Sequence, residues 1–315
     1  MLRESPRGCS LSEGEHMSTI ECLNAEHGES WTMYNGDCVE IVGQLPDRSV
    51  DCTIYSPPFS DLFIYSDSER DMGNCADDVE FAEHYAHLLR EMFRVLRPGR
   101  MACVHVSDLP ARKSKEGFIG LRDFSGDVIK AHQAAGFHYH SRVTIWKDPV
   151  TEMQRTKAHG LLYKNIQLDS TRNRVGMPDY ILVFKRPPTT KAEEDAKVPV
   201  THTPKDFPLD DWQKIASPVW FDVDQGNTLN VRIARDNGDE KHMCPLQLDV
   251  IDNLLRLYSN PDDVILSPFG GVASEGVGSI RRGRKFVGVE LKPSYFKTAC
   301  ANLRQEEGLN QGSLF

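Results

Sequence analysis

The chain has 315 residues, 39% hydrophobic and 26% charged, a composition expected of a globular protein able to bury a sizeable core in one large domain or two modest ones. No apolar run approaches the roughly 20 residues that span a bilayer, and the polar N-terminus lacks the charged-then-apolar order of a secretory signal, so the chain is expected in the cytoplasm with no membrane partner. A formal net charge of −9 speaks against nucleic acid, yet between Ala111 and Arg174 twelve Lys/Arg stand against six Asp/Glu, a local +6 that leaves −15 elsewhere and singles out one candidate phosphate-facing stretch.

Residues 1–29 are polar and aperiodic, and a poorly ordered tail is expected ahead of a domain covering 30–315. From Trp31 a short strand runs to Gly36-Asp37-Cys38, followed by a helix over 39–45, a turn at Pro46-Asp47 and an apolar strand over 50–55. That strand stops at Ser56-Pro57-Pro58-Phe59, where two prolines remove backbone donors and fix φ, so a rigid exposed loop is expected. An amphipathic helix over 79–96 closes at Arg97-Pro98-Gly99 and gives way to a strand over 101–106. After a polar loop, 111–123, come a helix over 125–135, a strand over 139–146 and a strand over 180–184 expected to pair with it antiparallel. The residues between them, 147–179, form an insertion of the kind that carries binding loops. The proline-rich stretch 187–208 reads as a linker or surface arm and 220–233 as a small inserted β element, with Trp212 and Trp220 as its core anchors. A helix over 246–258, a strand over 263–266, a helix over 274–281 and a strand over 286–289 complete the pattern. This alternation predicts an α/β fold: a mainly parallel twisted sheet of Rossmann-like type, with an antiparallel strand near one edge and helices on both faces.

Eight cysteines (Cys9, Cys22, Cys38, Cys52, Cys75, Cys103, Cys244, Cys300) are scattered with no C-x-x-C pair, so they are expected to be reduced, and no metal site is expected. The chemistry is carried elsewhere. Ser267-Pro268-Phe269-Gly270-Gly271 sits between a strand and a helix, where glycines let a cofactor approach the backbone closely. About 20 residues further on a strand ends in Glu290, whose carboxylate suits the ribose hydroxyls of an adenosine group.

Several strings together resemble a known family. Gly36-Asp37-Cys38, then Leu45 to Asp51 and Ser56-Pro57-Pro58-Phe59, look like the opening region of the DNA amino-methyltransferases in the β arrangement, in which the catalytic motif precedes the cofactor motif. Ser267-Pro268-Phe269-Gly270-Gly271 and the run from Gly283 to Glu290, with Tyr295, look like that family's cofactor region, and His242 and Pro245 occupy the place of the element closing over the methionine end. The resemblance implies S-adenosyl-L-methionine as cofactor, held by Asp37, Cys38, His242, Pro245, the Ser267–Ser274 turn and Glu290. It also implies double-stranded DNA as partner, an enzyme of restriction-modification type and a monomer or homodimer. The target base would be flipped out and stacked on Phe59, its amino group donating to Ser56 and to the Pro57 carbonyl ahead of direct in-line methyl transfer. Acceptors at both amino hydrogens favour the pyramidal, nucleophilic form of an otherwise delocalised amine. Methylation at cytosine carbon 5 would need a Pro-Cys nucleophile, and that dipeptide does not occur.

The chain departs from the family pattern at Ser267, where Asp is usual, and at Ala273, where a second glycine is usual. Ser at the first position of the proline loop is more typical of cytosine-N4 members, so N4-cytosine is the expected target and N6-adenine the alternative. Sequence reading is expected from 147–179, through Arg155, Lys157, Lys164, Asn165, Arg172 and Arg174. Two rival readings are an amino-methyltransferase of RNA or protein glutamine, disfavoured by the motif order, and an inactive cofactor- and DNA-binding module, motivated by Ser267 and Ala273.

Overall fold

In the computed structural model, which describes residues 20–58, 72, 75, 78–111, 117–118, 120–156, 161–173, 175–230 and 245–312, the apolar runs of the sequence lie side by side in one sheet. The strands in chain order are β1 (Asn24–His27), β2 (Trp31–Asn35), β3 (Val50–Tyr55), β4 (Leu96–Ser107), β5 (Leu109–Ala111), β6 (Gly120–Arg122), β7 (His138–Ile145), β8 (Asp179–Lys185), β9 (Val219–Trp220), β10 (Val264–Ser267) and β11 (Lys285–Glu290). Among the described residues β5 and β6 pair with each other, and the other strands form a sheet in the order β1-β2-β11-β10-β3-β4-β8-β7-β9. From β2 through to β4 all neighbours are parallel; β8 is antiparallel to both β4 and β7, and β9 rejoins β7 in parallel.

The helices are α1 (Cys38–Gln44), α2 (Asp78–Val95), α3 (Phe124–Ala134), α4 (Pro149–Thr156), α5 (Asn165–Leu168), α6 (Lys191–Asp195), α7 (Leu209–Ile215), α8 (Leu248–Tyr258), α9 (Ser274–Arg281) and α10 (Pro293–Gly312). Alternate strand residues feed two cores. Tyr55, Val104, Leu182, Phe184 and Val289 join Val42 of α1, Leu88 and Met92 of α2 and Val128 of α3 on one face. On the other, Ile54, Cys103, Ile181, Val183 and Phe286 join Ile251 and Leu254 of α8, Val277 of α9 and Phe296 of α10. Covering both faces leaves every residue of β3 buried, which is why central strands read as unbroken apolar runs. The expected class, a mainly parallel Rossmann-like sheet flanked by helices, is the one observed.

Three local expectations are corrected. Residues 24–27, assigned to a disordered tail, form β1, paired antiparallel with β2. An edge strand needs backbone hydrogen bonds rather than apolar periodicity, so a polar Asn-Ala-Glu-His run escapes a hydrophobicity reading. The expected β element at 220–233 is, where described, only the end of β9, a two-residue extension of the main sheet. Of its two tryptophans, Trp220 is 1% exposed and its indole N–H donates to the Ile215 carbonyl at 2.9 Å, whereas Trp212 is 48% exposed. Helix α7 is one short amphipathic element, and it buries Ile215 instead.

Among the described residues Cys22, Cys38, Cys52, Cys75, Cys103 and Cys300 are free thiols, and Cys9 and Cys244 lie outside them. No described helix is long and apolar enough to cross a membrane.

Chain direction creates the crevice. From β3 the chain passes through α2 to β4 on one side, and from β10 through α9 to β11 on the other, while β3 and β10 are neighbours with Cys52 beside Ile265 and Thr53 beside Leu266. The C-terminal ends of adjacent parallel strands at such a switch point are where open α/β sheets bind ligands.

Candidate active site

Two loops leave that switch point together. After β10, the Gly270 N–H donates to the Val289 carbonyl at 2.7 Å and the Ala273 N–H to the Gly270 carbonyl at 2.7 Å, folding the turn against β11. A Cβ on Gly270 would lie 2.6 Å from Met33 Cε and 3.1 Å from the Val289 carbonyl oxygen, so glycine is required there by close approach. Gly271 adopts φ +52°, and a Cβ added there would meet nothing within 4 Å, leaving open space above the turn. Ala273 holds a left-handed conformation, φ 65° and ψ 43°, directly before α9. The position thus keeps the backbone of a glycine turn at a strain of roughly 1–2 kcal/mol.

Glu290 closes the turn from the next strand. Its Oε2 accepts from the Gly271 N–H at 2.8 Å and its Oε1 from the Lys292 N–H at 2.7 Å. Each carboxylate oxygen has more than one acceptor site, so these bonds orient the group without exhausting it. Its carbonyl accepts from the Gly36 N–H at 3.1 Å and from Asn35 Nδ2 at 2.7 Å, which brings the end of β2 to the same crevice. There Asp37 caps α1, one oxygen accepting from the Val39 and Glu40 N–H groups at 2.8 and 3.0 Å. Cys38 is buried in the core beneath, and burial, then the charge of Asp37, pushes its thiol well up; it stays a neutral packing group. Pro245 is half-buried ahead of α8, and His242 lies outside the described residues.

The residues fit an adenosine-type cofactor on one further count. The hydroxyls of Ser267 and Ser274, at the two ends of the glycine turn, are buried with no hydrogen-bond partner. Buried polar atoms are ordinarily satisfied, so a pair left unmet beside an open turn is a feature a polar ligand would complete.

The second loop carries Ser56, Pro57 and Pro58; the prolines are buried and Ser56 half-buried, while Phe59 lies outside the described residues. Tyr55 and Phe269 have ring centroids 5.9 Å apart, so the two loops pack through their aromatic bases. Ser56 Oγ lies 2.7 Å from Nδ1 of His105 on β4. His105 Nε2 is 3.2 Å from Asp179 Oδ2 at the start of β8, at ion-pair distance though poorly aligned for a hydrogen bond, and Lys147 Nζ is 2.5 Å from Asp179 Oδ1. Burial alone would raise the Asp179 carboxyl, but the contacts it makes with His105 and with the Lys147 ammonium outweigh it and hold the group well below its ordinary value. The sequence reading missed this relay: Lys147 and Asp179 were expected only as the borders of the insertion, and His105 as an interior strand residue. A polar histidine inside an apolar strand was the one available signal.

The insertion contributes α4, α5 and a 3₁₀ turn at Ser170–Arg172. Lys164 is exposed and Asn165 half-buried at the start of α5, beside Tyr163, which is 79% exposed. Lys157, Arg174 and the side chains of Arg155 and Arg172 lie outside the described residues.

A glycine turn with unmet buried hydroxyls and a Ser-Pro-Pro loop at adjacent strand ends have the form of a ligand site at the switch point of an α/β enzyme. Comparison specifies the family. Residues 50–301 match the N6/N4 DNA methylase family, described as DNA methylase, and the chain belongs to it. It is 25% identical over 279 residues to the DNA adenine methyltransferase YhdJ of Escherichia coli (strain K12), covering 87% of this chain and 83% of that protein. To the type II methyltransferase M.BglII of Bacillus subtilis it is 23% identical over 281 residues, 88% of this chain and 70% of that one. Among solved structures, a DNA modification methylase of Thermus thermophilus complexed with S-adenosyl-L-methionine superposes with a TM-score of 0.63 at 20% identity, covering 87% of this chain and 95% of that one. The cytosine-N4-specific PvuII DNA methyltransferase superposes with a TM-score of 0.59 at 17% identity, covering 87% and 86%.

Proposed function

We propose that this DNA amino-methyltransferase acts on cytosine N4 in duplex DNA, with the base turned out of the helix and the methyl group drawn from S-adenosyl-L-methionine. The observation that carries the reading is the packing of the Ser56-Pro57-Pro58 loop against the Ser267–Ser274 turn through Tyr55 and Phe269. When bound, the cofactor supplies an electrophilic sulfonium methyl. Glu290, fixed by the Gly271 and Lys292 amides, is oriented to accept ribose hydroxyls, and the Ser267 and Ser274 hydroxyls offer further polar contacts. Ser56 and the Pro57 carbonyl accept from the base amino group, holding its lone pair toward the methyl; Pro57 and Pro58 keep the loop rigid. Phe59 is assigned the stacking role by family resemblance. DNA contacts are assigned to the insertion, where Lys164 and Asn165 supply a phosphate and a base-edge group respectively, together with Arg155, Lys157, Arg172 and Arg174.

Ser56 in the first loop position supports cytosine over adenine. N6-adenine is the second reading, favoured by the likeness to a protein named as an adenine methyltransferase. The test is to incubate the protein with S-adenosyl-L-methionine and unmodified duplex DNA, digest to nucleosides and search for methylated bases by mass spectrometry. N4-methylcytosine, lost in Ser56→Ala, supports the proposal. N6-methyladenine replaces the base assignment. With neither product on any duplex, the inactive-module and RNA readings take precedence.

A further inference from the structure

Resting on the reading of Ser56 as an acceptor for the base amino group, we propose that His105, held by Asp179 and Lys147, sets the direction of the Ser56 hydroxyl and takes up through it the proton released on methyl transfer. His105 is a positioning residue that acts through Ser56.

Lys147 anchors the far end of the relay. Its ammonium, with three donors and no acceptor, engages Asp179 Oδ1 at 2.5 Å and leaves Oδ2 toward His105 at 3.2 Å. Oδ2 is an ionised acceptor 3.2 Å from Nε2, so its charge favours the tautomer with the proton on Nε2, which leaves Nδ1 presenting a lone pair. Ser56 Oγ, 2.7 Å from Nδ1, must then donate its own proton to that nitrogen. The oxygen's lone pairs turn toward the crevice, the arrangement an acceptor for an amino group requires. With the other tautomer, Nδ1–H would donate to Ser56 and occupy one of those lone pairs. Three strands contribute: β3 ends at Ser56, β4 carries His105 and β8 starts at Asp179, with Lys147 just past the end of β7. The Ser56 hydroxyl and the Asp179 carboxylate both lie against His105, with Lys147 behind the latter.

In the transfer step the amino nitrogen's lone pair forms the new N–C bond, the S–C bond breaks and its electron pair stays on sulfur, and the positive charge passes to the amino nitrogen. That nitrogen gives a proton to Ser56 Oγ as the Ser56 proton moves to His105 Nδ1. The positive charge ends on an imidazolium beside the Asp179 carboxylate, and the proton later leaves to water.

Two measurements test this. First, long-range ¹⁵N–¹H spectra of histidine-labelled protein without ligands report the tautomer. The expected result is Nε2–H in the wild type and Nδ1–H in Asp179→Asn, because Lys147 retains the amide oxygen and turns the amide NH₂ toward Nε2. An Nδ1–H wild type overturns the proposal. Second, single-turnover methylation is compared across pH. His105→Asn keeps an acceptor near Ser56 but cannot take a proton. It is expected to bind S-adenosyl-L-methionine with unchanged Kd, to slow methyl transfer by about 10²-fold or more, and to lack the acidic limb of the wild-type profile. If Ser56→Ala is inactive while His105→Asn keeps the wild-type rate and profile, the proton path is wrong and the acceptor reading stands. If Ser56→Ala retains full activity, both fall.

Discussion

Glu275 lies in the first turn of α9, only 5% exposed, immediately after the turn that bears the unmet Ser274 hydroxyl. A helix N-terminus favours a negative charge, and the residue's own backbone N–H does the same, yet burial outweighs both and pushes the carboxyl up to about 8 from an ordinary 4.5. The folded protein therefore keeps the proton over a pH range in which the unfolded chain has released it. With more protons bound in the folded state, stability falls as pH rises through that window, by up to ~1.4 kcal/mol per pH unit, and levels off once both states are ionised. Glu275→Gln retains the neutral, hydrogen-bonding shape of the protonated acid and removes the titration. Urea unfolding of both proteins at about pH 5.5 and about pH 7.5 should show the variant gaining roughly 2–3 kcal/mol on the wild type between the two conditions. Parallel pH dependences in the two proteins would refute the reasoning, since they would mean that the group titrates alike in both states.

Arg100 is 2% exposed and bridges the buried carboxylates Asp51 and Asp263 at 3.1 and 2.5 Å, so Arg100→Ala should cost about 3–5 kcal/mol in denaturant unfolding. The more exposed Arg97, 3.3 Å from Asp51, should cost about 1 kcal/mol or less when replaced by Ala. Gly270→Ala places a methyl against Met33 and the Val289 carbonyl and should lower stability by roughly 1–3 kcal/mol, with weaker S-adenosyl-L-methionine binding measured by calorimetry. Burial holds His132 down to about 3, against the Val128 carbonyl contact that favours its charged form; the unfolded chain therefore binds the extra proton first, and stability is lost as pH falls below about 6.5. His132→Phe should lack that slope between about pH 6 and about pH 4 in matched unfolding curves, though it gives up the Tyr55 hydroxyl contact at 3.2 Å.

The elements that could be read in advance have their determinants within a few residues. β3 and α9 run over the expected 50–55 and 274–281 because an unbroken apolar run, a proline stop and a glycine turn are local signals. Helix α1 begins one residue early, at Cys38, because Asp37 caps it, and β4 reaches back to Leu96 because pairing with Val50 extends the strand past Pro98 and Gly99. The polar edge strand β1 and the two-residue β9 exist only by pairing with a neighbour, and neither carries a periodic pattern of its own.

The same division runs through the candidate site. The order of motifs and the two departures at Ser267 and Ala273 were properties of the sequence alone, as were the proline loop and the acidic residue ending β11, because each is a contiguous string with its own backbone constraints. Only the tertiary structure decided that Ala273 takes up the left-handed turn in place of glycine, that Asp37 is engaged as a helix cap, and that Glu275 is buried. It alone assembled Ser56, His105, Asp179 and Lys147, which are separated by 49 residues between the first two and 32 between the last two. Sheet order brings those residues together, and sheet order follows from which apolar faces pack across the whole chain, a property that no local window contains.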